Sequence, residues 1–308
     1  MNKKTITLLL CSLIFSHVWS LSLSNFGGFE NGYIGEYVFA IQGDNSLYEL
    51  SRLTWDIDSV YTMGASVGFQ TPKKGWGLFQ FDAELQVFFP QKSGFLQDYD
   101  FLNGDGILTH YSKHKNQIDG VSISCMSIYR ALDWLGLSFG VKTGILSFIG
   151  SNGYSQYPSE SSAPYTPWHD NITPYFFSGK VITYQITSFN FYLGINLHFL
   201  VGNRVSISAQ SLISPYSYFL CVDNHILTSV VYIDSVSSIF STYENKIYGG
   251  FIITPNTEIG ITLQHLKTIN SKGSSYQKKG LTTYQISNAL GGFSQDRFSV
   301  IFSLTQKL

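Results

Sequence analysis

Charge is scarce in this chain. Lysine, arginine, aspartate and glutamate make up 13% of its 308 residues, where soluble domains carry about 25%. The two signs balance to a net charge of −1, which leaves out the basic footprint a nucleic-acid partner would need. Long apolar runs are missing as well. Mean hydropathy is only +0.06, whereas each membrane-spanning helix needs about 20 apolar residues in a row. Cysteine is limited to positions 11, 125 and 221. Cys11 falls in a leader-like segment, so a mature chain keeps Cys125 and Cys221, too few for a disulfide framework.

What is present is aromatic residues, at 16%, and segments in which apolar and polar residues alternate. Low charge, abundant Tyr and Phe and a period of two fit a wall with apolar side chains outward and polar ones inward, a transmembrane β-barrel. At the N-terminus, Lys3 and Lys4 precede an apolar run from Ile6 to Phe15, followed by Ser20, Ser22 and Ser24. This reads as a signal peptide over 1–22, cleaved within about 20–24, and it is too short to span a bilayer. Leu10 before Cys11 is too large for lipoprotein cleavage, so no lipid anchor is expected. Residues 23–308 read as a single barrel domain.

The alternation predicts strands at 33–41, 48–70, 76–89, 119–132, 135–150, 179–200, 204–220, 246–254, 258–268 and 282–304, with tight turns at 71–75, 133–134, 202–203 and 255–256. Ten is an even number, and short turns alternate with long loops. Both features belong to an antiparallel, up-and-down ten-stranded barrel with short periplasmic turns and long extracellular loops. The competing architecture, a soluble β-sandwich, would use strands nearer five or six residues.

Ionisable residues concentrate on the long-loop side. In the stretch from Gln91 to Asn116, Asp98 and Asp100 stand two apart, so in an extended segment both carboxylates point the same way. Like charges so close disfavour joint ionisation and raise at least one pKa. The stretch 98–105 is also oxygen-rich enough to be an ion-binding loop, although its spacing is not that of an EF-hand. Downstream, Asp223 and His225 repeat the two-residue spacing. A carboxylate beside an imidazole fixes its tautomer and raises its basicity, as a general base requires. A lone D-x-H is more often a surface coincidence; the shared end of the barrel is what joins the two pairs.

These motifs resemble those of the omptin family. Residues 51–55 (SRLTW) resemble its S-x-L-x-W; residues 94–101 (GFLQDYDF) resemble its G-x-M-x-D-x-D-W, with Leu96 and Phe101 as departures. Residues 109–114 (THYSKH) resemble T-x-x-S-R/K-H, and 223–225 (DNH) resemble D-x-H. The resemblance spans essentially the whole mature chain. It implies a bacterial outer-membrane endopeptidase with its active site facing outward, in which Asp223 and His225 activate a water and Asp98 and Asp100 help position it. No acyl-enzyme, metal or cofactor is implied. It also implies peptide or protein substrates with basic residues, held in an acidic pocket. Glu36 stands at one pocket-acid position, but Cys221 occupies the other, so the preference for Arg or Lys is expected to be weaker or altered. His110 replaces a second pocket acid on the far side of the bond. Positions that hold lipopolysaccharide in the family correspond to Thr143, Ile145 and Thr187, none charged, which implies that the protein does without that lipid or sits in an envelope lacking it. The alternative function is a catalytically idle outer-membrane barrel acting as adhesin, host-protein receptor or pore.

Overall fold

The computed structural model describes residues 20–43, 46–71, 77–280 and 282–308. Eleven strands form one sheet: β1 (Ser20–Ile41), β2 (Leu47–Gln70), β3 (Leu78–Asp100), β4 (His110–Arg130), β5 (Leu135–Gln156), β6 (Tyr175–Val201), β7 (Val205–His225), β8 (Val230–Ser238), β9 (Thr242–Thr254), β10 (Thr257–Lys279) and β11 (Thr282–Lys307). Each strand pairs antiparallel with the next around the ring, and β1 pairs with β11 from Ser22–Lys307 to Ala40–Ala289, which closes it. Among the described residues no helix is long and apolar enough to cross a membrane. Residues 1–19 of the predicted signal peptide and most of the turn at 71–75 lie outside the described residues, while residues 20–22 begin β1.

Eleven strands make ten staves. β8 and β9 run end to end between the same neighbours: β7 pairs with β8 through 217–225 and with β9 through 205–214, while β10 pairs with both. The break at 239–241 lies opposite Pro215. Proline has no N–H for the ladder, and Phe240 takes a left-handed turn (φ 52°) as the chain steps past it. Ser217, Thr242 and Thr268 link the three staves through hydroxyl bonds of 2.9 and 3.0 Å.

Most of the predicted strands were too short at one end of the barrel; the first, predicted at 33–41, was short at the other, where β1 begins at Ser20. The wall continues well past the predicted ends, so Asp98 and Asp100 stand at the top of β3, and Asp223 and His225 at the top of β7, rather than in loops. The stretch 221–245, read as loop, contains all of β8. A belt of outward apolar side chains explains the difference. On β3 it runs from Phe79 through Leu85 to Phe89, roughly 25 Å of height for a tilted strand. Above it the outer face turns polar or charged, with Lys92 and Lys115 on β3 and β4 and Lys267 and Asp296 on β10 and β11. The apolar-out signal stops there while the hydrogen-bonded wall does not.

Inside, the barrel is filled. Within the belt Glu30 pairs with Arg297 at 3.1 Å, and Glu244 is held between Lys142 at 3.3 Å and Lys246 at 2.8 Å. Above these charges lies an apolar plug in which Trp55 stacks on Tyr184 (5.5 Å, 7° between planes), Phe148 tilts against Trp55, and Phe219 stacks on Phe293 at 4.2 Å. All five rings are fully buried. The plug forms the floor of an open groove at the upper rim.

Candidate active site

Strand register decides which side chains share the groove. Because inward residues recur every second position, Asp98 and Asp100 both face inward, and the β3–β4 ladder sets them opposite Ser112 and His110. Ser51 on β2 is the cross-strand partner of Asp100 and donates its hydroxyl to Asp98 Oδ1 at 3.5 Å. On the other wall, Asp223 and His225 face inward from β7. The Nε2–H of His225 donates to Asp223 Oδ2 at 2.5 Å, which leaves Nδ1 as the nitrogen able to take a proton. Tyr232 meets the imidazole edge-on at 5.3 Å. Asp223 is buried, while the His225 side chain is 36% exposed to the groove.

The two walls interact electrostatically above the apolar belt. Burial raises Asp98 well above the ordinary aspartate value, and the charges of Asp100 and Asp223 push it further. Burial lifts Asp100 to about 6, opposed by the Ser51 hydroxyl and by the charge of His225. Burial opposes charge on His225, yet the hydrogen bond and charge of Asp223, with the charge of Asp100, hold its pKa above 6.5. Burial also raises Asp223, against the hydrogen bond and charge of His225. Groups separated by more than a hundred residues thus form one coupled set. Among the described residues, no group of three or more His, Cys, Asp or Glu side chains is arranged to ligate a metal ion.

Glu36 and Cys221 lie deeper, against the plug, and both are buried. Cys221 is raised by burial, and its neighbours are Tyr184, Glu36 and Asp234 rather than His225. Asp234, which the sequence reading left in a loop, sits on β8 directly opposite Cys221. It is 2% exposed. The carboxylate fills space left by Gly291, where an added Cβ would come within 2.1 Å of it. Burial raises Asp234 to about 6, opposed by Ser275 and reinforced by Asp223. Burial raises Glu36 too, followed by the charges of Asp223, Asp234 and Asp98; the indole of Trp55 opposes them without reaching hydrogen-bond geometry. One oxygen each of Glu36, Asp223 and Asp234 is buried with no hydrogen-bond partner. Buried oxygens in that state call for a donor from elsewhere. The signal for Asp234 was its phase: Val230, Tyr232, Asp234 and Val236 alternate within one short run.

His110 lies at the other end of the groove, beside Tyr157 and Tyr165. His114 is buried and braces Ser112 at 3.1 Å, with its other nitrogen donating to the Asn152 carbonyl at 3.2 Å. Thr143, Ile145 and Thr187 lie on the outer wall of β5 and β6.

Residues 18–306 match the model of the omptin family. Among solved structures, the outer membrane protease OmpT from Escherichia coli superposes with a TM-score of 0.80 at 16% identity, covering 94% of this chain and 97% of that one. The outer membrane protein OprG from Pseudomonas aeruginosa gives a TM-score of 0.39 at 9% identity, over 95% and 97%. No curated protein matches in sequence.

Proposed function

The chain belongs to the omptin family, and from that premise we propose that it is an outer-membrane endopeptidase that cleaves next to basic residues by attack of an activated water. The observation that carries the reading is the His225–Asp223 hydrogen bond of 2.5 Å, standing across the groove from two carboxylates coupled to it. A water between the walls gives its proton to Nδ1 of His225 as its oxygen attacks the scissile carbonyl. Asp223 holds the imidazole in the required tautomer and stabilises the imidazolium. Asp98 and Asp100 hold the water, and with raised pKa values the pair keeps a proton near neutrality that can hydrogen-bond to the forming oxyanion. The imidazolium then passes its proton to the departing amine. Nothing covalent forms between enzyme and substrate, and Cys221, buried away from His225, has no part in the attack.

The specificity pocket is the pair Glu36 and Asp234. A guanidinium or ammonium entering between them would satisfy carboxylate oxygens that have no partner of their own and would cancel like charge at the groove floor. Asp234 thereby does the work that position 221 cannot, and the expected loss of basic preference at Cys221 is offset. The groove faces outward from the cell in this reading. Its rim carries the longer loops 101–109 and 157–174, while the opposite turns are confined to stretches such as 131–134 and 255–256. The uncharged wall at Thr143, Ile145 and Thr187 offers no partners to lipopolysaccharide phosphates, so activity without that lipid is part of the proposal.

Quenched-fluorescence peptides containing Arg-Arg, Lys-Arg or neutral pairs, offered to the purified protein and to His225→Ala and Asp98→Ala, test the mechanism. Turnover by the parent and its loss in both variants is the expected result. Turnover that survives both would overturn the water-attack scheme, and no turnover by the parent would return the protein to an idle barrel.

A further inference from the structure

On the side of the catalytic row away from Glu36 and Asp234, the groove presents aromatic rings; the loop behind them carries Asp170 and Glu160, the latter accepting from the Thr166 hydroxyl. Glu36 stands on β1, two staves from Asp98 and Asp100 in one direction around the ring. His110 on β4 is the cross-strand partner of Asp100 in the other direction, and Tyr157 follows directly after β5, the next stave. The His110 ring lies 4.9 Å from Tyr157, tilted by 55°, and 4.9 Å from Tyr165, edge-on at 81°. Tyr157 is 46% exposed, and it is close enough to the row that Asp98 and Asp100 both act on it.

The wall is fixed in place. The Asn103 amide donates to the Tyr165 carbonyl at 2.8 Å, and its Oδ1 accepts from the Tyr165 N–H at 2.8 Å. The Trp168 N–H donates to the Leu108 carbonyl at 2.8 Å. Gln156 holds the far end of the same loop through the carbonyls of Asp170 and Ile172. Loop 157–174 is therefore clipped to loop 101–109, and presenting these rings costs little ordering on binding.

Hydrogen bonding also sets the tautomer of His110. The Thr109 hydroxyl donates to the Asp100 carbonyl at 2.9 Å, so at its 3.0 Å contact with His110 Nδ1 it accepts. Nδ1 carries the proton, and Nε2 remains an acceptor. Burial lowers the pKa of His110, so at neutral pH the wall is uncharged. It offers ring surface and one acceptor nitrogen.

We infer that Tyr157, His110 and Tyr165 form a subsite for an uncharged aromatic side chain on the residue that follows the scissile bond. The full motif is then a basic residue before the cut and an aromatic one after it. A Phe, Tyr or Trp there meets rings already held at stacking distance, and a Tyr or Trp can also donate to Nε2 of His110. A Lys or Arg gains no carboxylate from these three side chains. The inference rests on the hydrolase reading and extends it to the far side of the bond.

The test is a peptide series with one Arg followed by each of Phe, Tyr, Trp, Leu, Ala, Lys, Arg and Asp, with cut sites read by mass spectrometry and kcat/KM measured at pH 7.5. Aromatic residues should exceed Ala and Lys by roughly three- to tenfold, the size of a good ring-pair contact. Tyr157→Ala should flatten the series, and His110→Asp should move the preference to Lys and Arg. A parent enzyme that is indifferent at this position or favours cations, or a preference that survives Tyr157→Ala, overturns the inference and leaves the hydrolase reading standing. Absence of turnover on every peptide removes both.

Discussion

Cys221 and Asp234 are direct cross-strand partners on β7 and β8, and the pair sets a carboxylate, where only loop was expected, beside the thiol that stands at the pocket-acid position. Asp234→Asn should therefore lower kcat/KM for Arg-containing peptides by about 2–3 kcal/mol, roughly 30- to 150-fold, because a buried cation loses one of two partners. Cys221→Ser should change it by no more than about threefold, within the range of a near-isosteric swap. The double variant Cys221→Asp/Asp234→Asn moves the carboxylate back across the ladder and should recover much of the loss. Equal damage from Cys221→Ser and Asp234→Asn would refute this division of roles.

The acid limb of the pH–rate profile should belong to His225. As a base it must be unprotonated, so kcat/KM should rise with pH, with its midpoint above 6.5 because Asp223 and Asp100 favour the imidazolium. Asp100→Asn removes one of those negative charges, which lowers the His225 pKa and moves the limb to lower pH, whatever it does to the maximal rate. His225→Ala should cost about 10²–10⁴-fold, the usual contribution of a positioned general base. A limb that stays put in Asp100→Asn would mean that the two walls are not electrostatically joined.

Stability should move with pH in the opposite sense to that of a salt-bridged protein. Asp234 is raised by burial from 3.8 to about 6, so folding favours its protonated form. That contribution is fully present below pH 3.8 and is lost as pH rises through about 6, a change of roughly 3 kcal/mol by pH 8. Glu36 acts in the same direction. Asp234→Asn and Glu36→Gln should therefore raise the thermal unfolding midpoint in detergent at pH 8 by a few degrees and leave it nearly unchanged at pH 3.5. Destabilisation at pH 8 would show that these carboxylates are already paired in the free protein.

How far the sequence disclosed this arrangement depended on side-chain phase. Asp98 with Asp100, and Asp223 with His225, were visible because a two-residue spacing puts both members of a pair on one face in any extended chain. The barrel was visible in the apolar belt, whose alternation survives in nearly every stave. Asp234 was hidden because Pro215 forces the neighbouring stave to break at 239–241, so β8 is a nine-residue piece flanked by irregular chain. The strand tops were hidden because above the belt both faces are polar, and the contrast that marks a strand disappears although the ladder continues. The His110 wall was beyond reach for another reason: Tyr165 arrives from a loop, and only the Asn103 clip places it.

The lumen supplies a last expectation, separate from catalysis. Glu244 is 2% exposed and lies between the ammonium groups of Lys142 and Lys246, at 3.3 and 2.8 Å. Removing the shared carboxylate leaves two partly buried cations facing each other, so Glu244→Gln should cost about 2–3 kcal/mol, below the cost of breaking a fully buried pair, read as a lower unfolding midpoint. Adding Lys142→Met removes one of those cations together with its desolvation cost, and should recover part of the loss. Neither change should open a conducting path, because the plug of Trp55, Tyr184 and Phe148 closes the bore above the charges, and ten staves leave an interior that side chains can fill. Planar-bilayer recordings of the parent and of Glu244→Gln should both stay near baseline. Steady channel conductance in the parent would mean that the plug moves aside in the membrane, and the barrel would then have to be read as a pore before it is read as an enzyme.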